Sequence, residues 1–209
     1  MSKANAVTLL LGAAVGISTP AAAQFDHPPE MRKGGSVDRK FMSTARCLVD
    51  GQPSRAEQLL TAEPGSEAEG KALLEIVRAA PFCAEDKSMT RAPTTTWRGA
   101  IAEAFYIRGS DRARPSSISL ASGRPDWLAS PGATLFAVAQ CAVERAPIEA
   151  DRLIRTKWRS AEEARAVGDL LPTLRACGNG AKANFDRVSI RGTIAEGLVR
   201  AQGAAEGNK

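Results

Sequence analysis

The four cysteines of this chain constrain its fold more than any other feature, because they form two pairs with the same spacing. Cys47 and Cys83 lie 36 positions apart, and Cys141 and Cys177 also lie 36 positions apart. The second pair follows the first at an offset of 94, and other residues match at that offset. These include Val49 and Val143, Leu59 and Leu153, and Ser66 and Ser160. The sequence therefore predicts an internal duplication of a unit of about 65–70 residues.

A second match closes each copy of the unit. Residues 97–105 read WRGAIAEAF and residues 190–198 read IRGTIAEGL, at an offset of 93 after one deletion. Both stretches place apolar residues at helical spacing, so each predicts a closing helix. Thr96 and Ser189 stand just before the two stretches and are the predicted N-caps. The glycine in each phrase costs about 1 kcal/mol relative to alanine inside a helix, and we expect a close helix crossing at Gly99 and Gly192 to offset that cost.

The cysteines predict two disulfides. The C-x-x-C pairs of zinc sites and the C-x-x-C-H of haem attachment are absent, so we expect neither a metal nor another cofactor at these residues. In an exported protein, an even number of cysteines at matching spacings is typical of a disulfide framework. Four cysteines permit three pairings, and duplication favours the one that each unit makes alone, Cys47–Cys83 and Cys141–Cys177. In the chain-entropy model each bridge is worth roughly 4 kcal/mol.

The N-terminal segment predicts export. Residues 1–24 read MSKANAVTLLLGAAVGISTPAAAQ, with one charge, an apolar stretch and then small residues. This order is typical of a secretory signal peptide, so we expect cleavage near Ala23 and a periplasmic or secreted protein without a stable membrane anchor. Loss of Lys3 lowers the formal net charge from +5 to +4. That basicity is too modest to predict a nucleic-acid partner, and it points only weakly to anionic envelope polymers.

Hydrophobic periodicity predicts four helices in each unit. The third helix has the clearest start, because residues 66–69 and 160–163 both follow the S-x-x-E pattern of a capping box. Glu69 and Glu163 are therefore interpreted as structural. Ser54, with a glutamate three residues later, is predicted to cap the second helix of the first unit in the same way.

These patterns predict an all-α protein of two tandem four-helix repeat units, each with one intra-unit disulfide. The predicted segments are a signal peptide (1–23), an irregular arm (24–35), the first unit (36–107), a linker (108–129), the second unit (130–203) and a tail (204–209). Trp127 and Leu128 are expected to pack the linker against a unit. The basic stretch 151–165 is interpreted as a solvated helix end whose Trp158 covers a neighbour, or alternatively as an anion-binding surface.

The paired cysteines, the S-x-x-E box and the RG-x-I-A-E ending together resemble an uncharacterised group of small secreted proteins from Gram-negative bacteria. The resemblance covers residues 36–107 and 130–203. It implies export and an all-α unit, and it carries no activity or functional residue over to this chain.

Both closing helices contain an arginine and a glutamate, which are Arg98 and Glu103 in the first and Arg191 and Glu196 in the second. Five positions correspond to about 140° around a helix, so the two residues of one helix do not pair with each other. The partner must come from the first helix, the cysteine loop or the other copy. We interpret the arginines as donors to loop carbonyls and the glutamates as partners of a basic residue. The alternatives are a binding site or a catalytic site at these four residues.

The sequence holds no short motif of a known reaction. The patterns G-x-S-x-G, S-x-x-K, G-x-G-x-x-G and H-E-x-x-H are absent, and the single histidine, His27, lies in the arm. The leading hypothesis is an exported, non-enzymatic protein that binds another protein or an anionic envelope polymer through a groove between helices or units. One alternative is a carboxylate-dependent hydrolase that uses Glu103 or Glu196. Another alternative is a small-ligand carrier. The sequence does not predict the oligomeric state.

Overall fold

Helices account for all regular secondary structure in the residues that the computed structural model describes, which are 37–83, 92–110, 126–130, 133–178 and 187–206. The N-terminal half contains α1 (Val37–Gly51), α2 (Pro53–Thr61), α3 (Glu67–Ala79), a 3-10 turn (Pro81–Cys83) and α4 (Thr94–Ser110). The C-terminal half contains a 3-10 turn (Asp126–Ala129), α5 (Thr134–Arg145), α6 (Pro147–Arg155), α7 (Ala161–Gly178) and α8 (Arg187–Glu206). The all-α prediction is confirmed for this part of the chain. The predicted signal peptide, the arm and His27 lie outside the described residues.

Two helix starts agree with the predicted capping boxes. The backbone N–H of Glu69 donates to Ser66 Oγ at 3.1 Å, and that of Glu163 donates to Ser160 Oγ at 3.1 Å. These bonds satisfy donors that the first helical turn leaves without partners. None of the described helices is long and apolar enough to span a bilayer.

Three predicted caps are wrong. Helix α2 begins at Pro53 rather than after Ser54, because the fixed φ of proline suits the first helical position and moves the start upstream. Helix α4 begins at Thr94, because the carbonyl of Pro93 already accepts from the N–H of Thr96, which therefore lies inside the helix. Helix α8 begins at Arg187, so Ser189 also lies inside its helix, where its carbonyl accepts a side-chain bond.

The two disulfides have the predicted pairing. Cys47–Cys83 joins α1 to the 3-10 turn that follows α3, and Cys141–Cys177 joins α5 to the last turn of α7. Each bridge therefore closes within its own half and ties the end of the third helix to the first. All four cysteines are consumed in this way.

Apolar faces pack into two adjoining cores. The N-terminal core includes Leu48, Leu59, Ile76, Trp97 and Ile101, and the C-terminal core includes Leu153, Leu170, Leu174, Ile194 and Leu198. Ala102 and Tyr106 of α4 belong to the C-terminal core, although they come from the N-terminal half. The two halves are therefore packed side by side, with α4 against α8.

Helices α4 and α8 cross at a pair of glycines. A Cβ atom added to Gly99 would lie 2.7 Å from Cα of Gly192, and one added to Gly192 would lie 2.9 Å from Cα of Gly99. Real side chains do not reach such distances, so only glycine permits this backbone contact. The predicted close crossing is confirmed, and the two glycines meet each other.

Gly99→Ala is expected to lower the free energy of unfolding by about 1–3 kcal/mol, because the clash with backbone outweighs the better helix propensity of alanine. Urea denaturation of the oxidised protein measures the change. Gly168→Ala is the matched control, since Gly168 is exposed within α7 and nothing lies within 4 Å of its added Cβ. The control should leave stability unchanged or raise it by up to about 1 kcal/mol. Equal effects of the two substitutions would contradict the crossing.

Candidate functional site

The four candidate residues of the closing helices lie together where α4 crosses α8. Arg98, Glu103, Arg191 and Glu196 are each only 1–2% exposed. Each arginine pairs with the glutamate of the opposite helix, so the partner comes from the other half of the chain. The burial and the pairing explain why neither arginine needs a partner within its own helix.

Both ion pairs have the bidentate geometry that a guanidinium forms with a carboxylate. Arg98 donates from Nε to Glu196 Oε2 at 2.7 Å and from Nη2 to Glu196 Oε1 at 2.7 Å. Arg191 donates from Nε to Glu103 Oε2 at 2.7 Å and from Nη2 to Glu103 Oε1 at 2.8 Å. Two parallel charge-assisted bonds fix the relative orientation of α4 and α8 as well as holding them together.

The remaining N–H groups of each arginine donate to backbone carbonyls at the end of a short helix. Arg98 donates to the carbonyls of Leu59, Leu60 and Ala62, and Arg191 donates to those of Leu153, Ile154 and Thr156. The last carbonyls of a helix have no partner within it, and the negative end of the helix dipole favours a cation. The arginines therefore cap α2 and α6, whereas the sequence interpretation expected donation to loop carbonyls.

Two further glutamates complete two charged clusters, the first around Arg98 and the second around Arg191. Glu69 Oε1 accepts from Arg98 Nη1 at 3.2 Å, and Glu163 Oε1 accepts from Arg191 Nη1 at 3.0 Å. Their second oxygens accept from backbone N–H groups of Gly65 and Arg159, two residues with left-handed backbone at φ 79° and 56°. The sequence identified both glutamates as capping residues. It could not reveal that they also hold an arginine, because that contact joins distant parts of the chain.

The two clusters differ in what covers the paired glutamate. Glu196 accepts a further bond from Arg200 Nη1, and the ring of Trp127 lies 5.3 Å from Arg200 Cζ and 5.7 Å from Arg98 Cζ. Glu103 accepts instead from Trp158 Nε1, at 2.9 Å to Oε2 and 3.1 Å to Oε1. A neutral indole N–H thus takes the place that a guanidinium has in the first cluster. The sequence interpretation gave Trp158 a covering role, and its neighbour proves to be this ion pair.

Burial and the neighbouring charges shift the pKa values of both arginines in the first cluster. Burial lowers the pKa of Arg200, the nearby charge of Arg98 adds to this effect, and Glu196 offsets it only in part. Burial also acts to lower the pKa of Arg98, but the hydrogen bond and charge of Glu196, with those of Glu69, outweigh it and raise that pKa. The charge and hydrogen bonds of Glu196 favour the charged form of both guanidinium groups.

Glu103 and Glu196, the two carboxylates considered for catalysis, are both held by fixed donors. A general acid or base must reach a substrate within hydrogen-bond distance. Both oxygens of each carboxylate already accept from an arginine, and each group receives a third donor. Among the described residues, no group of three His, Cys, Asp or Glu side chains is arranged to hold a metal ion.

An open cavity of about 1220 Å³ lies over Glu103, between the two halves. We call it the interhalf groove. Its apolar lining includes Met42 and Phe82 from the N-terminal half and Trp158 from the C-terminal half. Phe82 is 65% exposed, although it lies beside the bonded Cys83. An aromatic side chain next to a disulfide therefore faces solvent at the edge of the groove.

The rim of the interhalf groove carries positive charge. Asp50 on the rim pairs with Arg108 at 3.8 Å, and Arg155 pairs with Asp151 at 2.9 Å. Two exposed cations, Arg46 and Lys157, also line the groove, and no described residue forms an ion pair with either. The sequence interpretation left an anion-binding surface open for the 151–165 stretch, and both Arg155 and Lys157 of that stretch line the groove.

Comparison of the chain with models of protein families, with curated proteins and with solved structures finds no match. The burial, geometry and charge of the residues described above are therefore the basis for assigning a function.

Glu103→Gln is expected to lower the free energy of unfolding by about 3–5 kcal/mol, because it leaves the buried Arg191 without its closest counter-charge. Urea denaturation of the oxidised protein measures this loss. Glu75→Gln is the matched control, since Glu75 pairs with Arg55 at 3.4 Å while 37% exposed. The control should change stability by less than about 1 kcal/mol. A small effect at Glu103 would contradict a structural role for the cluster.

Tyr106, the chain's single tyrosine, provides a second probe of the contact between the halves. Its hydroxyl donates to Asp151 at 2.7 Å. Burial, and then the hydrogen bond and charge of Asp151, raise the pKa of Tyr106 well above its ordinary value.

We expect no tyrosinate absorbance near pH 10 while the protein stays folded. The unfolded chain loses this proton from about pH 10 upward and the folded chain keeps it, so stability should fall as pH rises past that point. Denaturation at several alkaline pH values measures the slope, and Tyr106→Phe should remove this part of it. A folded protein with an ordinary tyrosine titration would contradict the contact.

Proposed function

We propose that this protein is an exported, non-enzymatic binding protein, built of two copies of a four-helix unit, whose interhalf groove binds a macromolecular partner. The proposed partner is another protein or an anionic envelope polymer. The proposal places the protein in the periplasm or outside the cell after removal of residues 1–23.

The match between the two halves supports the duplication. Each half has a disulfide from its first helix to the end of its third, and a capping serine at the start of the third. Each also has an arginine that caps the second helix and pairs across α4 and α8. Such a set of parts is expected when one unit has been copied and its closing helix packs against that of the second copy.

The observation that carries the binding proposal is the exposed Phe82 at the edge of a groove whose rim has two cations, neither in an ion pair with a described residue. Exposed aromatic side chains beside apolar surface mark many protein interaction sites. The neighbouring disulfide at Cys83 restricts the backbone, so little backbone entropy is lost when a partner covers this ring.

Export is supported by the two disulfides, because such bonds form and persist mainly in oxidising compartments. The order of charge, apolar stretch and small residues at the N-terminus supports it independently.

The two alternatives have less support. A hydrolase would need Glu103 or Glu196 to reach a substrate, and both carboxylates are occupied by fixed donors. A small-ligand carrier is favoured by a cavity that encloses most of its ligand, whereas the interhalf groove is open along one side.

Affinity capture tests the proposed function. The oxidised protein is immobilised and envelope extracts are passed over it, with Phe82→Ala and Ile148→Ala as a pair of variants. Ile148 is the matched control, since it is 57% exposed and lies outside the lining of the groove. We expect the amount of retained partner to fall at least about 10-fold with Phe82→Ala and to stay unchanged with Ile148→Ala. If nothing is retained, or if both variants retain the partner equally, the proposal fails.

A further inference from the structure

The position that corresponds to the interhalf groove in the other half of the molecule is filled by the chain itself. There the 3-10 turn Asp126–Ala129 lies beside α5, and the ring of Trp127 meets Phe136 edge-on at 5.7 Å. Leu128 of the same turn is buried, at 9% exposure. A short segment with an acidic, an aromatic and an aliphatic residue therefore covers the Arg98–Glu196 cluster.

Two sequence differences account for the open groove on the side of Glu103. At the offsets of the two copies, Met42 corresponds to Phe136 and Ile107 corresponds to Arg200, and both Met42 and Ile107 line the groove. Because Trp158 supplies the third donor to Glu103, no guanidinium is needed at position 107. The result is an apolar floor over a carboxylate whose hydrogen bonds are already made, so the groove favours an apolar side chain.

The charges on the rim place a second requirement on any molecule that occupies the groove. Arg46 and Lys157 are exposed on opposite halves of the chain, and no described residue forms an ion pair with either. An occupant with carboxylates beside an apolar group would pair its carboxylates with the cations of the rim and pack its apolar group on the floor. A basic occupant would be repelled by the rim.

We propose that the interhalf groove binds a short peptide segment of a partner protein, in which a bulky apolar side chain stands next to acidic ones. The proposal rests on the proposed binding function and names the class of partner. An anionic polysaccharide would satisfy Arg46 and Lys157, but the C–H faces of its sugar rings are less apolar than a bulky apolar side chain and cover Phe82 and Met42 less well. An acyl chain would cover these residues, but an open groove leaves most of such a chain in water.

A dye-labelled peptide of sequence EDWLAE, which extends the residue types of the 3-10 turn, tests the proposal by fluorescence polarisation with the oxidised full chain. We expect saturable binding that weakens at least about 10-fold in Arg46→Glu/Lys157→Glu, and also when the peptide's tryptophan is changed to alanine. Lys71→Glu/Arg145→Glu is the matched control, since it makes the same change of charge at exposed residues away from the groove. Higher salt should reduce the difference between these two double variants.

Binding that is absent, or equal in the two double variants, overturns the proposal. Occupancy by the chain's own arm also overturns it, and would appear as peptide binding only after alanine replaces Phe25, the single phenylalanine of the arm. Occupancy by a second copy overturns it as well, and would appear as a dimer that the peptide does not dissociate.

Competition against the partner captured from extracts separates this inference from the proposed function. Displacement of a Phe82-dependent partner by the peptide supports both. Displacement of that partner by an anionic polysaccharide or by phospholipid vesicles, and not by the peptide, overturns the peptide proposal and leaves the binding function standing. The absence of any retained partner overturns both.

Discussion

The contact of α4 with α8 depends on two buried guanidinium groups, those of Arg98 and Arg191. Each of Arg98 and Arg191 makes a bidentate pair with a glutamate of the opposite helix. Each also donates to the last carbonyls of a short helix and to a second glutamate. A buried ion pair adds little net stability relative to an apolar core, because desolvation offsets most of its attraction. It does penalise every arrangement in which one partner is missing. We infer that these pairs select one packing of the two halves.

The glycine crossing and the ion pairs require each other. With Gly99 and Gly192 in backbone contact, α4 and α8 are close enough for an arginine on one helix to reach a glutamate on the other. If larger residues separated the helices, water would enter between the charges and weaken the pairs. The 1 kcal/mol or so that each glycine costs in helix propensity is therefore offset by contacts that no other residue would permit.

Much of the fold could be predicted from the sequence, and the reasons for the failures are specific. Equal spacing identified both disulfide pairings, and the interior glycines predicted a close crossing. The caps at Thr96 and Ser189 were wrong because the backbone upstream already supports a helical turn. The sequence left three possible locations for the partner of Arg98, namely the first helix, the cysteine loop and the other copy. Spacing within one helix excludes pairs inside that helix, but it does not identify a distant partner. The interhalf groove escaped prediction for the same reason, because Met42, Phe82 and Trp158 meet only after packing.

The reciprocal pairing has a consequence for assembly. Arg98 reaches Glu196 while Arg191 reaches Glu103, so the contact between α4 and α8 is isologous, with the same groups exchanged about an approximate two-fold axis. A surface of this kind is complementary to itself. Each half therefore presents to the other an arginine and a glutamate, and it receives the same two groups in return.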